Sequence, residues 1–599
     1  MNTTTVSRPA NITRQNLFAI LAPHRLAILW IGVVILCGAS LELVPPLIMK
    51  QVVDDHLAVG HANGLWSLAF LYLAAVAGVQ SLGFLSNYLT AWTAQAALME
   101  LRVRLYRHLQ RLPLRYYDQT PLGDIISRCT ADVDTLDTLF SSGVAGLVTD
   151  LVRLLTVSVA MLFLSPLLFL ISLCVVPPLW WLTENFRKRI RAAERRNRQA
   201  VGMMNTHLQE TFGGLEVIRA FDRGAAFIAR FRRVLKTSLE AYNEAAQYSS
   251  LYSPTMQMLM AAAMALLLWS GARGTLSGWA LSLGTLTAFV LLFKRFFDPI
   301  TALGEEWQTV QGALSGAERI FQVLEMPIES AVQEAGRVNE AQDGIHVERV
   351  TFGYFPGQPV LRDVSFHVRA GEHVALVGRT GAGKSSLVHL LGGLYAPWEG
   401  ALQVAGLDPR QLSESERRRL VGVVPQAVQL FSGTVRDNLT LGDADALAAS
   451  VVNAAEMAGA DGFIRSLPQG YETLINSGAG EGVQLSSGQR QLLSLARALV
   501  WNPHILLFDE ATSSIDSASE ETFRQALGKE AAQSRRAILT VAHRLSTAVT
   551  ADRIIVMEHG RILEMGTPEE LIRKGGRFAA LLELESAGWD WRNNPSYIK

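Results

Sequence analysis

Cysteine is scarce in this chain: Cys37, Cys129 and Cys174 are the only three in 599 residues, and no metal-ligand spacing relates them. A disulfide framework and a cysteine-held zinc site are therefore not what organises it. A surplus of charge is missing too, since 54 Lys and Arg balance 54 Asp and Glu. Nucleic-acid binding needs a basic surplus, so no nucleic-acid partner is expected. The N-terminus lacks the short apolar core and small-residue cleavage site of a secretory leader, because its first apolar run is long enough to stay in a membrane. No acidic residue precedes Glu42, whereas Arg8, Arg14 and Arg25 do. Such a basic lead-in, here 1–25, marks the cytoplasmic side of a first membrane helix.

Long apolar stretches are present, and they are confined to one half. From 26 to about 297 they recur with few internal charges, while from about 344 onward strand-like and helix-like runs alternate at ordinary charge density. Two such different materials require more than one domain. A hydrocarbon core of about 30 Å needs roughly 20 apolar residues as helix. Six segments qualify or nearly qualify: 26–48, 65–92, 144–164, 167–182, 256–271 and 283–300. Only Ser165 and Pro166 join the third to the fourth, which predicts a tight hairpin. The stretches after the second and fourth segments carry Arg102, Arg104, Arg107, Arg111 and Arg115, then Arg187, Lys188, Arg189, Arg191, Arg195, Arg196 and Arg198. The opposite loops, 52–64 and 272–282, hold only Arg273. By the positive-inside rule the basic stretches and both termini are cytoplasmic.

Charges within a span cost about 2.5–3.5 kcal/mol each at a helix centre, so they face a wet cavity or a partner. Glu42, Lys294, Arg295 and Asp298 are of this kind. With Gln257, the residues Glu42, Lys294 and Arg295 are candidates for the lining of a translocation path; interhelical salt bridging, or snorkelling to the cytoplasmic interface, is the alternative.

The run GRTGAGKS, 378–385, follows a β-rich apolar stretch at 373–377 and precedes a helical one. Glycines let successive backbone N–H groups converge on phosphates at a helix N-terminus. The candidate nucleotide contacts are Gly378, Arg379, Thr380, Gly381, Ala382, Gly383, Lys384, Ser385 and Ser386. Lys384 would reach the β and γ phosphates of ATP, and the Ser385 hydroxyl would ligate Mg2+. Farther on, Ile505, Leu506, Leu507 and Phe508 read as a buried parallel strand that delivers Asp509 and Glu510 to its C-terminal edge, where ligands sit in open α/β sheets. Asp509 would hold magnesium, and Glu510 would act as general base on the attacking water.

The run LSSGQ at 485–489 followed by RQLLSLARAL resembles the signature motif of ATP-binding cassette (ABC) proteins. The resemblance spans most of the chain, since six spans followed by one cassette is the layout of ABC half-transporters with the exporter-type fold. YYDQTPLGDIISRCTADVD, 116–134, and ETFGGLEVIRAF, 210–221, resemble the two intracellular loops whose coupling helices touch the cassettes. The resemblance implies an α-helical six-span transmembrane domain with long cytoplasmic helical extensions, followed by an α/β P-loop ABC nucleotide-binding domain. The boundaries are a lead-in 1–25, transmembrane domain 26–325, linker 326–343, nucleotide-binding domain 344–585 and tail 586–599. It further implies that Tyr354 stacks on adenine, that Gln426 senses magnesium and the attacking water, and that His543 contacts the γ phosphate. Ser486, Gly488 and Gln489 would reach the ATP held by another cassette.

One cassette cannot complete such a site, so a second half-transporter is implied as partner. Ser487 replaces the first glycine of the usual LSGGQ, and a few extra residues lie in 477–484. Glu510 and His543 are intact, so the chain fits the half of a heterodimer that carries intact Walker residues and an altered signature; a homodimer is the alternative. The implied activity is ATP hydrolysis driving export of a small amphipathic or hydrophobic substrate across a lipid membrane, the bacterial inner membrane, by alternating access. An importer on the same fold and an ATP-gated channel or regulator are the rivals.

Overall fold

A computed structural model describes residues 19–60, 63–276, 281–329, 344–443, 445–476, 482–509, 536–542 and 544–586. Most of the lead-in, most of the linker, Glu510, His543 and nearly all of the C-terminal tail lie outside the described residues. The chain divides into two units, one of Met1–Gln110 with Gly123–Met326, the other of Arg111–Leu122 with Pro327–Lys599.

The first unit is helical. Among the described residues, five stretches are long and apolar enough to cross a membrane: Ala19–Leu57, Leu65–Leu109, Leu122–Leu164, Pro166–Gly213 and Gly224–Arg273. The sixth expected segment, 283–300, lies in a continuous helix, Leu283–Leu324, that is not among them. Lys294, Arg295 and Asp298 interrupt its apolar run, which separates it from the other five. The helix Gly224–Leu276 has 53 residues, about 80 Å of helix at 1.5 Å per residue, far more than a bilayer needs. The surplus forms the helical extensions that the basic stretches predict.

Two expected spans are interrupted. The first stops at Leu41 and restarts as Val44–Gln51, which carries Pro45 and Pro46. The fourth stops at Leu173 and restarts as Val176–Gly213, which carries Pro177 and Pro178. Proline disfavours helix in the residue before it yet fits the first helical turn, so each pair ends one helix and starts the next. The hairpin at Ser165 is as tight as its sequence requires. Ser165 is extended, and its hydroxyl accepts from the Leu168 N–H to cap the new helix. The packed centre is aromatic: Phe289, Phe293 and Phe297 are fully buried beside Met161, Leu168 and Leu267. The Phe293 and Phe297 rings lie 4.7 Å apart.

The second unit holds two main sheets. Strands β1 (Gly344–Phe352), β2 (Leu361–Arg369) and β4 (Glu399–Val404) form an antiparallel sheet in the order β2-β1-β4. The larger sheet contains β3 (His373–Gly378), β5 (Val421–Val424), β8 (Ile505–Asp509), β9 (Ala537–Val541), β10 (Arg553–Glu558) and β11 (Arg561–Gly566). Between β5 and β8 in the chain, the short strands β6 (Gly433–Thr434) and β7 (Leu474–Ile475) pair with each other. The large sheet runs β11-β10-β3-β9-β8-β5, parallel except for β11 at the edge. Every residue of β3, β8 and β9 is buried, as continuous apolar runs in a parallel sheet demand. Because β9 separates β3 from β8, the phosphate loop and Asp509 emerge from nearby strand ends on one edge.

Candidate functional site

The phosphate loop turns on two glycines. Gly381 and Gly383 have φ of +84° and +97°, the left-handed region that side chains avoid. A Cβ on Gly383 would also stand 2.6 Å from Leu361 Cδ2. Gly383 caps the helix Lys384–Leu391, so the first helical N–H groups open toward the loop. Lys384 is buried, and its ammonium donates to the carbonyls of Gly378 at 2.8 Å and Arg379 at 3.0 Å. The cation is thus held against the loop, where polyphosphate oxygens would meet it.

Ser385 donates from Oγ to Asp509 Oδ1 at 2.9 Å, which brings together two of the three magnesium candidates, the third being Gln426. Burial pushes the Asp509 carboxyl above the usual carboxylate range, opposed by the Ser385 hydrogen bond and by His389 and Lys384. A hard oxygen pair of this kind fits Mg2+, which is held by one or two carboxylates together with substrate phosphates. Gln426 follows β5 and is exposed.

Tyr354 is half-buried. Its hydroxyl donates to Ser386 Oγ at 3.1 Å and lies 3.3 Å from His389 Nδ1, while Phe352 packs edge-on at 5.2 Å. Its ring borders a cleft of about 450 Å³ with Phe355, Val360 and Arg362. An aromatic face on an open cleft beside the phosphate-loop helix suits a purine. His389 was not legible as a site residue. It lies four residues after Ser385, hence on the same helix face, and that spacing was the available signal.

In the signature segment, Ser486 caps the helix Ser487–Leu499. Its hydroxyl accepts from the Gln489 N–H, and the Gln489 amide oxygen accepts from the Ser486 N–H. Ser486 and Ser487 are exposed while Gly488 is buried. Ser487 takes the first helical position, where a side chain meets no backbone penalty and serine is a tolerated residue. The same helix supplies Arg497, which donates to the Asn438 carbonyl at 2.7 Å and the Gln429 carbonyl at 3.0 Å. Arg497 thereby ties the signature helix to the segment that follows Gln426. The sequence motifs did not single it out.

In the first unit a cavity of about 800 Å³ is lined by Tyr252, Met256, Gln257, Met260, Met264, Phe293, Lys294, Phe297 and Asp298, among others. The expected path-lining set therefore divides. Gln257 and Lys294 line the cavity. Glu42 instead accepts two hydrogen bonds from Arg153, at 2.9 and 2.8 Å, and Arg295 donates to the Glu42 carbonyl. Met256, Met260 and Met264, each four residues apart on one helix face, give the cavity a soft, adaptable wall.

These features define an ATP-binding cassette joined to a helical membrane domain. The family model for the ABC transporter transmembrane region matches residues 28–300, and that for the ABC transporter matches 361–513. The chain is 32% identical to an ATP-dependent lipid A-core flippase of Syntrophus aciditrophicus over 95% of its length and 94% of the relative's. It is 33% identical to a fatty acid ABC transporter ATP-binding/permease protein of Mycobacterium bovis, covering 84% of this chain and 78% of the relative. The solved structure of a bacterial Atm1-family ABC exporter with ATP bound superposes with a TM-score of 0.76 at 27% identity, covering 95% of this chain and 99% of the other. This chain belongs to the ABC transporter family, as a multi-pass membrane protein with an exporter-type fold.

Proposed function

We propose that this chain is one half of an ATP-hydrolysing exporter that moves an amphipathic cargo across the bacterial inner membrane, with both termini and the cassette in the cytoplasm. The observation that carries the reading is the convergence of Lys384, Ser385 and Asp509 at one sheet edge, in a chain whose other unit encloses a methionine-lined cavity. Lys384 would hold the β and γ phosphates; Ser385, Asp509 and Gln426 would hold Mg2+, which would supply charge neutralisation for phosphoryl transfer. Glu510 takes the proton of the attacking water, and His543 donates to the γ phosphate. Ser486, Gly488 and Gln489 serve the nucleotide of the partner cassette, so the working unit is a dimer, with a heterodimer favoured by Ser487. Driving the membrane domain from 1:99 to 99:1 takes about 5.5 kcal/mol of differential binding, within reach of two triphosphates shared between cassettes.

The test is vanadate-sensitive ATPase activity of the purified chain in lipid, alone and with a candidate partner half-transporter, across a panel of amphipathic compounds. Activity in either format, raised by some of the compounds, supports the reading; inactivity in both sinks it. Turnover by the chain alone makes it a homodimer. Glu510→Gln is expected to bind ATP normally and to lose most turnover, and near-normal hydrolysis would remove Glu510 from the role of base.

The cavity carries its own expectation. Lys294 is its cationic side chain and Asp298, one turn away, its anionic one. Lys294→Glu makes the lining doubly acidic, so stimulation by anionic amphiphiles falls about 10-fold, equivalent to about 1.4 kcal/mol, while cationic ones gain. An unchanged concentration dependence for both charge classes would place the cargo elsewhere.

A further inference from the structure

The short segment Arg111–Leu122 interrupts the membrane unit in sequence yet belongs to the nucleotide-binding unit. Two hydrogen bonds tie it there. The Glu329 N–H donates to the Arg111 carbonyl at 2.9 Å, and the Tyr395 hydroxyl donates to Asp118 Oδ2 at 2.7 Å. Tyr395 stands just beyond the helix that follows the phosphate loop. Its ring meets Tyr354 edge-on, at 5.3 Å and 90°, and lies 5.5 Å from Phe352 and 6.0 Å from His389. Tyr354 in turn donates to Ser386, inside that helix. One carboxylate on the segment is therefore one hydrogen bond and one ring contact from the adenine-facing tyrosine.

We propose that Tyr395 is a positioning residue through which the segment Arg111–Leu122 sets the orientation of Tyr354, and with it the affinity of the cassette for nucleotide. The proposal rests on reading this chain as an ATP-driven transporter, and adds a route from the segment to the adenine side of the site. A hydroxyl that donates to an ionised carboxylate makes a stronger and more directional bond than a neutral pair, so displacement of Asp118 is felt by the ring. The edge-to-face contact passes that on, because the two rings share one packed aromatic cluster and cannot turn independently. Burial first, and then the bond to Asp118, hold the Tyr395 phenol above its ordinary pKa. It remains a donor throughout the physiological range, and the link responds to movement of the segment rather than to pH. Coupling of this kind is reciprocal: whatever the segment does to nucleotide affinity, nucleotide does to the seating of the segment.

Fluorescence titration of the full-length protein in lipid nanodiscs with methylanthraniloyl-ATP and magnesium tests this without requiring turnover. Tyr395→Phe keeps the ring and removes the hydroxyl. Its dissociation constant is expected to rise about fivefold, the low end of site-to-site coupling. Asp118→Ala should match it, Asp118→Asn should restore most of the affinity because an amide oxygen still accepts, and the Tyr395→Phe, Asp118→Ala double variant should be no weaker than either single one. A merely structural defect would lower the bound fraction at saturation and the melting temperature instead, and would not be rescued by Asn. Wild-type affinity in Tyr395→Phe or Asp118→Ala, or additive losses in the double variant, overturns the proposal. The vanadate-sensitive ATPase of the unmodified protein is scored separately, so failure of the transporter reading and failure of the Tyr395 assignment are distinguishable.

Discussion

Lys384→Ala lowers the ATP turnover number by about 10²- to 10³-fold, the loss that follows removal of one preorganised charge-stabilising donor from a phosphoryl-transfer site. The ammonium is held before nucleotide arrives: it is buried and makes two hydrogen bonds to loop carbonyls. Little reorganisation is then needed when phosphate oxygens share it. Removal also leaves the Gly378 and Arg379 carbonyls without that donor and strips a favourable charge from beside Asp509. Arginine is not a conservative replacement, because a planar fork cannot occupy the space of a compact ammonium. Steady-state turnover at saturating ATP, with nucleotide binding measured in parallel, gives the result. A variant retaining more than a tenth of wild-type turnover would show that the loop backbone alone stabilises the transferred phosphoryl group.

Glu42→Ala is expected to destabilise the membrane unit by roughly 3 kcal/mol, the low end of the cost of removing one partner from a buried ion pair. The low end applies because the Arg153 side chain is 34% exposed, while Glu42 is 14%. Glu42 follows the last residue of the first helix, where Pro45 and Pro46 force a restart. The helix end leaves carbonyls unpaired, and Arg295 donates to that of Glu42 while Arg153 grips its carboxylate with two parallel bonds. Asp150 stands 3.9 Å from the same guanidinium, so Arg153→Ala, which takes the cation from both carboxylates, is expected to cost more than Glu42→Ala. Retention of monodisperse protein in detergent on heating measures both. Equal melting of Glu42→Ala and the unmodified protein would show the pair to be solvated.

The phosphate loop and signature motif were legible because their causes are local. A left-handed glycine, a helix N-terminus and a capping serine each leave a mark within a few residues. The proline pairs at 45–46 and 177–178 stand in the first and fourth apolar runs, which were expected unbroken; proline's backbone restriction splits each of them. The charges inside the spans show the limit of sequence reading. Glu42, Arg295, Gln257 and Lys294 were indistinguishable as residues in apolar runs, and packing assigned the first two to interhelical bonds and the last two to a cavity wall.

Membrane-spanning length, a nucleotide-binding cassette and kinship with the ABC transporters were legible from residues in order, because apolar length and a phosphate-loop backbone are properties of contiguous residues. Tertiary structure decided which distant groups meet: Glu42 with Arg153 across 111 positions, Ser385 with Asp509 across 124, and Asp118 with Tyr395 across 277. No helical or strand period encodes such pairs. They exist only once helices pack and strands order themselves, and they place the Asp118 carboxylate within one ring of Tyr354.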